Sequence, residues 1–249
     1  MTGAPPGDRP AYRRWPSQVL CRRCPSVRGD QSVASAFSDV VGGGVLVLGA
    51  LAVSPLIRRR YNRWGVDDAE LLAGLPGDDL VPDPDLGYTR GITIDAPAGD
   101  VWPWVAQFGQ GRGGFYSYDG LENLFRCDIH SADRVLPALQ DIAAGDVVRL
   151  APGGAPSFRV HLVRRPAALV LVSAGPAQMG SPPDDVGASL ATWQWVLRPL
   201  DGGRRTRLIV RQRLSRPRSQ RLLWRLVEPV GFVMERRMLR GIKERAERR

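Results

Sequence analysis

Two apolar periods divide the chain. Residues 88–94, 146–150, 158–163, 168–173, 190–197 and 206–214 alternate apolar with polar positions or run apolar over a strand's length, with Gly, Pro and Asp turns between the last five. Consecutive strands with short connections predict an antiparallel meander. Elsewhere the apolar spacing changes to three and four. Val101, Trp104, Val105 and Phe108 predict a helix after the first strand, a second short helix is expected over 118–127, and a helical turn near 132–139. From Pro217 onward, Leu222, Leu223, Leu226, Val227, Val230, Met234, Met238 and Ile242 predict one long amphipathic helix, kinked near Pro229 and Gly231.

The region before the first strand follows neither period. Residues 1–36 are rich in Pro, Arg, Ser and Gly, which predicts a disordered tail. Residues 40–57 then carry no charge and sit between Asp39 and Arg58-Arg59-Arg60. As a helix this run spans about 27 Å against a hydrocarbon core of about 30 Å. It is read as a transmembrane helix over 37–60, with a cleaved signal peptide and a buried soluble helix as rivals. Asp39 ahead of the run and three arginines directly behind it argue against cleavage. Arg58, Arg59, Arg60 and Arg63 outnumber Arg22, Arg23 and Arg28, so a single-pass membrane protein with a cytoplasmic C-terminal domain is expected. Residues 61–84, rich in Pro and Asp, read as a connector, and 85–249 as one domain.

Charge narrows the partners. The net charge is +10, almost all of it from arginine, since Lys243 is the only lysine. The middle of the chain is nevertheless acidic and only its ends are basic, so no specific nucleic acid is expected as a partner. Three cysteines give no disulfide framework. Cys21 and Cys24 have metal-site spacing but no second ligand pair follows them, and Cys127 reads as an inert thiol.

Gly109-Gln-Gly111-Arg-Gly113-Gly114 matches the dinucleotide-binding pattern letter for letter. That motif needs a strand before it and a helix after it, whereas here a helix precedes and no acidic strand end follows about twenty residues on. The glycines therefore read as a link that brings Phe115, Tyr116 and Tyr118 into the domain, and no cofactor is expected. The polar cluster behind them holds Tyr118, Asp119, Glu122, Asp128, His130, Asp133 and Arg134. Glu122, Tyr118 and His130 are the acid/base candidates. Asp128, His130 and Asp133 come from one short loop, and no metal site is assigned. Trp193 and Trp195 share one strand face, taken as the inner one.

The element order describes an α+β domain in which a curved antiparallel sheet wraps a long C-terminal helix, with two short helices closing one end. Together with the segments ITIDAPAGDVWPWVAQFGQGRGGFYSYDGLENLF, CDIHSADRV, TWQWVLRPLDGGRRTRLIVR and EPVGFVMERRMLRGIKERAE, it resembles the START/Bet v 1-like helix-grip (SRPBCC) superfamily, in its polyketide cyclase/dehydrase and lipid-transport-like branch, over residues 85–247. The resemblance implies a hollow between sheet and helix that holds a hydrophobic small molecule or lipid. Trp104, Phe108, Phe115, Tyr116, Tyr118, Trp193, Trp195, Met234 and Met238 are the expected ligand-contacting residues. Two functions stay open: a membrane-tethered binding protein, and a cyclase or dehydratase using the acid/base residues.

Overall fold

The alternating segments become β1 (Leu86–Ile94), β2 (Val147–Arg149), β3 (Ser157–Arg164), β4 (Ala168–Ala174), β5 (Leu190–Leu200) and β6 (Arg205–Ser215). In a computed structural model they form one antiparallel sheet in the order β1-β6-β5-β4-β3-β2. The structure describes residues 33–153, 156–174, 190–215 and 221–248, with 33–40, 50–56, 174 and 221–226 described by backbone alone. The last five strands are the predicted meander, and β1 closes the order by pairing with β6 rather than β2.

Among the described residues five helices accompany the sheet: α1 (Val33–Asn62), α2 (Asp68–Leu72), α3 (Ala98–Gln107), α4 (Asp119–Leu124) and α5 (Arg221–Ala246). Helix α2 is five residues long and is held by a capping box, Glu70 N–H donating to Asp67 and Asp67 N–H to Glu70. Helix α5 runs through Pro229 without interruption. Its predicted start at Pro217 lies outside the described residues.

Period-two alternation sorts the two faces of the sheet. Trp195 lies opposite Leu169 on one side and Val210 on the other, and Trp193 opposite Leu171 and Gln212. These residues face α5, so the preferred inward orientation of the tryptophans is the observed one. Trp193, Trp195, Phe108, Phe158, Met238, Leu239 and Ile242 belong to one buried cluster. Each large apolar side chain so buried stabilises the fold by about 1.5–3 kcal/mol.

The opposite face carries Ile209, Arg211, Val196 and Ala168, and the segment read as a connector covers it. Leu75 packs on Ala168, Val196 and Ile209. Arg211 donates five hydrogen bonds beneath that cover, to Thr89 Oγ1 (2.9 Å), Ala73 O (2.9 Å), Asp78 Oδ2 (2.6 Å), Glu70 O (3.1 Å) and Leu71 O (2.9 Å). Arg207 pairs with Glu70 at 2.7 Å and Arg213 donates to Val81 O at 2.7 Å. Residues 64–82 are thus a strap packed across the sheet, because three outward arginines on one strand need acceptors that water would otherwise supply.

Helix α1 begins at Val33, inside the stretch expected to be tail; residues 1–32, with Cys21 and Cys24, lie outside the described residues. One side of α1 docks on the domain. A Cβ at Gly43 would stand 3.2 Å from the Tyr118 ring, Tyr61 stacks on Phe232 at 5.4 Å, and Arg58 pairs with Glu228 at 2.8 Å. Among the described residues no helix is long and apolar enough to cross a membrane. The side chains of residues 40 and 50–56, part of the expected transmembrane run, lie outside those residues.

Candidate functional site

The glycine loop is a tight link between α3 and α4 that keeps its amides to itself. Gly109 and Gly114 bond to each other in both directions (2.9 and 3.1 Å), Gly113 N–H donates to Gln107 O, and Gln110 N–H to Arg149 O. A phosphate cradle needs those amides free, so the dinucleotide reading fails on hydrogen bonding as well as on context. Gly114 has φ +72°, and a Cβ there would meet Ser131 Cα at 2.6 Å. The motif exists because the chain must pass this close to residues 130–131.

The aromatics that the loop delivers fill the space between sheet and α5. Phe108 touches Phe115, Trp193 and Trp195 at centroid distances of 6.2, 5.4 and 5.1 Å, and Phe158 completes the group against Trp193. Trp104 meets Tyr116 edge-on, and the Tyr116 hydroxyl donates to Trp104 O at 3.2 Å. Burial pushes the Tyr116 phenol well above its ordinary range, so it stays a donor. Met238 is buried beside them, and Met234 O accepts from Ser117 Oγ. The wide hollow expected here is instead a packed aromatic core.

The three acid/base candidates do not converge. Tyr118 lies against α1. His130 is on the surface, 3.2 Å from Asp128, with both side chains about 70 % exposed. Glu122 is the exception, since its Oε2 is buried without a hydrogen-bond partner. Burial, and then the neighbouring Asp119, push its carboxyl up to about 8. Asp119 itself accepts from Ser131 N–H and Ser131 Oγ, both at 2.6 Å, and so fastens α4 to the following loop.

Open space between sheet and α5 survives at one end, as a seam of about 70 Å³ with apolar walls from Leu86, Leu214 and Val227 and polar ones from Tyr88, Gln212 and Glu228. At its inner side sits a buried polar centre that periodicity did not reveal. Glu235 of α5 accepts from Arg90 Nη1 (2.7 Å), Tyr88 OH (2.8 Å) and Trp193 Nε1 (3.1 Å). Arg90 is fully buried, stacks over the Tyr88 ring at 3.7 Å and donates to Tyr61 O, while its Nη2 has no partner. Burial and the Glu235 carboxylate push the Tyr88 phenol well above its ordinary range. The signal was present: Tyr88, Arg90, Ile92 and Ile94 alternate onto one face, and a charge among them requires a buried counter-charge.

No family model matches the chain, and no curated protein matches it. Solved structures do. Protein NE0264 from Nitrosomonas europaea is 16 % identical, with 65 % of this chain and 94 % of that chain covered and a TM-score of 0.38. A conserved protein from Geobacillus kaustophilus is 13 % identical, with 65 % and 95 % covered and a TM-score of 0.38. CalU16 from Micromonospora echinospora is 16 % identical, with 65 % and 83 % covered and a TM-score of 0.31.

Proposed function

We propose that the chain is a membrane-associated helix-grip protein of the START/Bet v 1-like kind that binds a small hydrophobic molecule or lipid in the seam between β1, β6 and α5. The seam carries this reading: apolar walls lead to a few fixed donors, the arrangement by which proteins hold and orient apolar ligands. At about 70 Å³ it holds the volume of about two waters. Binding therefore requires α5 to move away from the β1–β6 edge. Pro229, which has no amide to bond one turn back, and Gly231, which lines the seam, lower the resistance of α5 at that point. Membrane association comes from the uncharged run at 40–57, and the excess of arginines behind it over those ahead of it favours the cytoplasmic side for the domain.

The test is titration of the full chain with the neutral apolar fluorophore N-phenyl-1-naphthylamine, alongside extraction of lipid from vesicles. Saturable binding that Val227→Trp weakens at least tenfold supports the seam. No binding, or binding that this plug leaves unchanged, overturns it.

The enzymatic reading keeps one supporting observation, the buried and unpartnered Oε2 of Glu122, whose carboxyl is pushed up to about 8 and so can donate a proton near neutrality. A reaction lost in Glu122→Gln with ligand binding intact would favour a cyclase or dehydratase over a carrier.

A further inference from the structure

The end of α1 fastens α5 at the turn that walls the seam. Glu228, a seam residue, accepts from Arg58 Nε at 2.8 Å and from Asn62 Nδ2. Its side chain is only 8 % exposed, so these two donors stand where water otherwise would. One turn on, Phe232 stacks on Tyr61 at 5.4 Å and meets Trp64 edge-on at 6.4 Å. A turn further, the Arg236 guanidinium lies 5.5 Å from the centre of the Trp64 ring. Glu228, Phe232 and Arg236 recur every fourth residue, so one stripe of α5 is given over to residues 58–64.

The sheet holds α5 elsewhere. Glu235, about 10 Å along the helix from Glu228, takes the hydrogen bonds of Arg90, Tyr88 and Trp193, and Arg90 Nε also donates to Tyr61 O at 3.1 Å. Pro229 and Gly231 lie between the two fastenings. Among the described residues no hydrogen bond or ion pair crosses the seam from 227–231 to β1 or β6, so the polar hold on this turn of α5 comes from α1. The movement of α5 that admits a ligand therefore has to release Glu228 and Phe232 from α1.

Insertion of α1 in a bilayer makes the same demand. Its backbone is one helix from Val33 to Asn62, and the uncharged run at 40–57 stops directly before Arg58. The docked side is clamped at Gly43 as well, where a Cβ would stand 3.2 Å from the Tyr118 ring and 3.5 Å from Leu121 Cδ2. Gly43 and Tyr61 are about 27 Å apart along the axis, the length of the run itself. A run clamped to a folded domain over that length is not surrounded by lipid. Insertion requires it to leave α4, and a continuous helix that swings away at Gly43 also turns Arg58, Tyr61 and Asn62 relative to α5.

We propose that the end of α1 is a latch on α5 that is released when the uncharged run enters a bilayer, so that the seam opens at the membrane and stays shut away from it. This rests on the seam as the ligand site and on the membrane association of residues 40–57. The coupling is reciprocal: a ligand that holds the seam open favours the undocked α1 by the same factor.

The experiment has two arms, both on the full chain. Hydrogen exchange is followed at the α5 amides of residues 230–235, in buffer and with vesicles of equal parts phosphatidylcholine and phosphatidylglycerol, with β4 as the internal reference. Exchange faster by roughly fivefold or more in the vesicle-bound chain, with β4 unchanged, is expected. Unchanged exchange in 230–235, or a chain that does not bind the vesicles, overturns the proposal. In the second arm N-phenyl-1-naphthylamine is titrated without vesicles. Arg58→Ala/Asn62→Ala, which frees Glu228, should bind it tighter by roughly fivefold or more. Arg207→Ala, which removes an ion pair on the opposite face of the sheet, should bind it as the parent does. Tightening in neither variant, or equally in both, overturns the latch; far-UV circular dichroism checks that both are folded. A probe that finds no site in any of the three proteins overturns the seam instead, and the exchange arm, which uses no ligand, decides the latch separately.

Discussion

Replacing Glu235 by Ala removes the acceptor on which Arg90, Tyr88 and Trp193 converge. Arg90 is fully buried, so water cannot reach it to take the carboxylate's place. Breaking a buried pair by deleting one partner costs about 3–5 kcal/mol, and each stranded neutral donor adds about 1 kcal/mol or more. A total near 5 kcal/mol is a third or more of the stability of a typical domain. With a urea slope of about 2 kcal/mol per molar, the unfolding midpoint should fall by roughly 2.5 M. The double variant Arg90→Met/Glu235→Leu removes both charges in similar volume and should lie within about 2 kcal/mol of the parent, giving a coupling energy of several kcal/mol. The measurement is urea unfolding of the full chain followed by circular dichroism, for both singles and the double. If the double is as destabilised as the two singles added together, the pair is not a desolvated unit and the polar centre is not what shapes the seam.

Three further outcomes follow from particular contacts. Glu122 has a folded pKa of about 8, above its ordinary 4.5, so the fold prefers the protonated form. Its contribution is intact below pH 4.5 or so and is lost as pH rises towards 8, at about 1.4 kcal/mol per unit traversed. Glu122→Gln should flatten the melting temperature over that window. Gly241→Ala drives a Cβ to 2.3 Å from Tyr116 O and should destabilise by about 2–3 kcal/mol, whereas Gly231→Ala, with nothing within 4 Å, should stabilise by about 0.5–1 kcal/mol in the same denaturation assay. Asp119→Ala strands Ser131 N–H and costs about 3 kcal/mol, with hydrogen exchange accelerating first at residues 130–131.

The order of elements was legible because the strands and α3 bury one face, and burial of one face writes a period into the residue types. What escaped was whatever breaks the period. Arg90 and Glu235 sit on apolar faces, and a pattern scored on hydrophobicity treats each as an exception rather than as half of a pair. Arg207, Arg211 and Arg213 do alternate onto one face, but alternation does not say what covers that face, so the Pro/Asp-rich stretch that supplies their acceptors read as a connector. Trp193 and Trp195 were assigned to the right face. Whether they wall a hollow or fill it depends on how Phe108, Phe115 and Phe158 stack on them, a matter of three-dimensional fit that no periodicity carries. His130 was an acid/base candidate by its place in the polar cluster, and its distance from the buried Glu122 oxygen shows only in three dimensions, where it lies on the surface beside Asp128.

The strap has a consequence for what counts as the folding unit. Arg211 finds four of its five acceptors only because residues 64–82 are joined to β1 through a few residues, which keeps them at a high effective concentration over the sheet. A chain beginning at residue 85 would expose Ala168, Val196 and Ile209 across the middle of the sheet and leave the Arg211 guanidinium to water. The same strap added as a separate peptide would have to overcome the entropy of association that covalent continuity removes. The smallest piece expected to fold alone therefore starts ahead of Trp64, within the last turns of α1, so the N-terminal boundary of the domain falls inside a helix rather than in a loop.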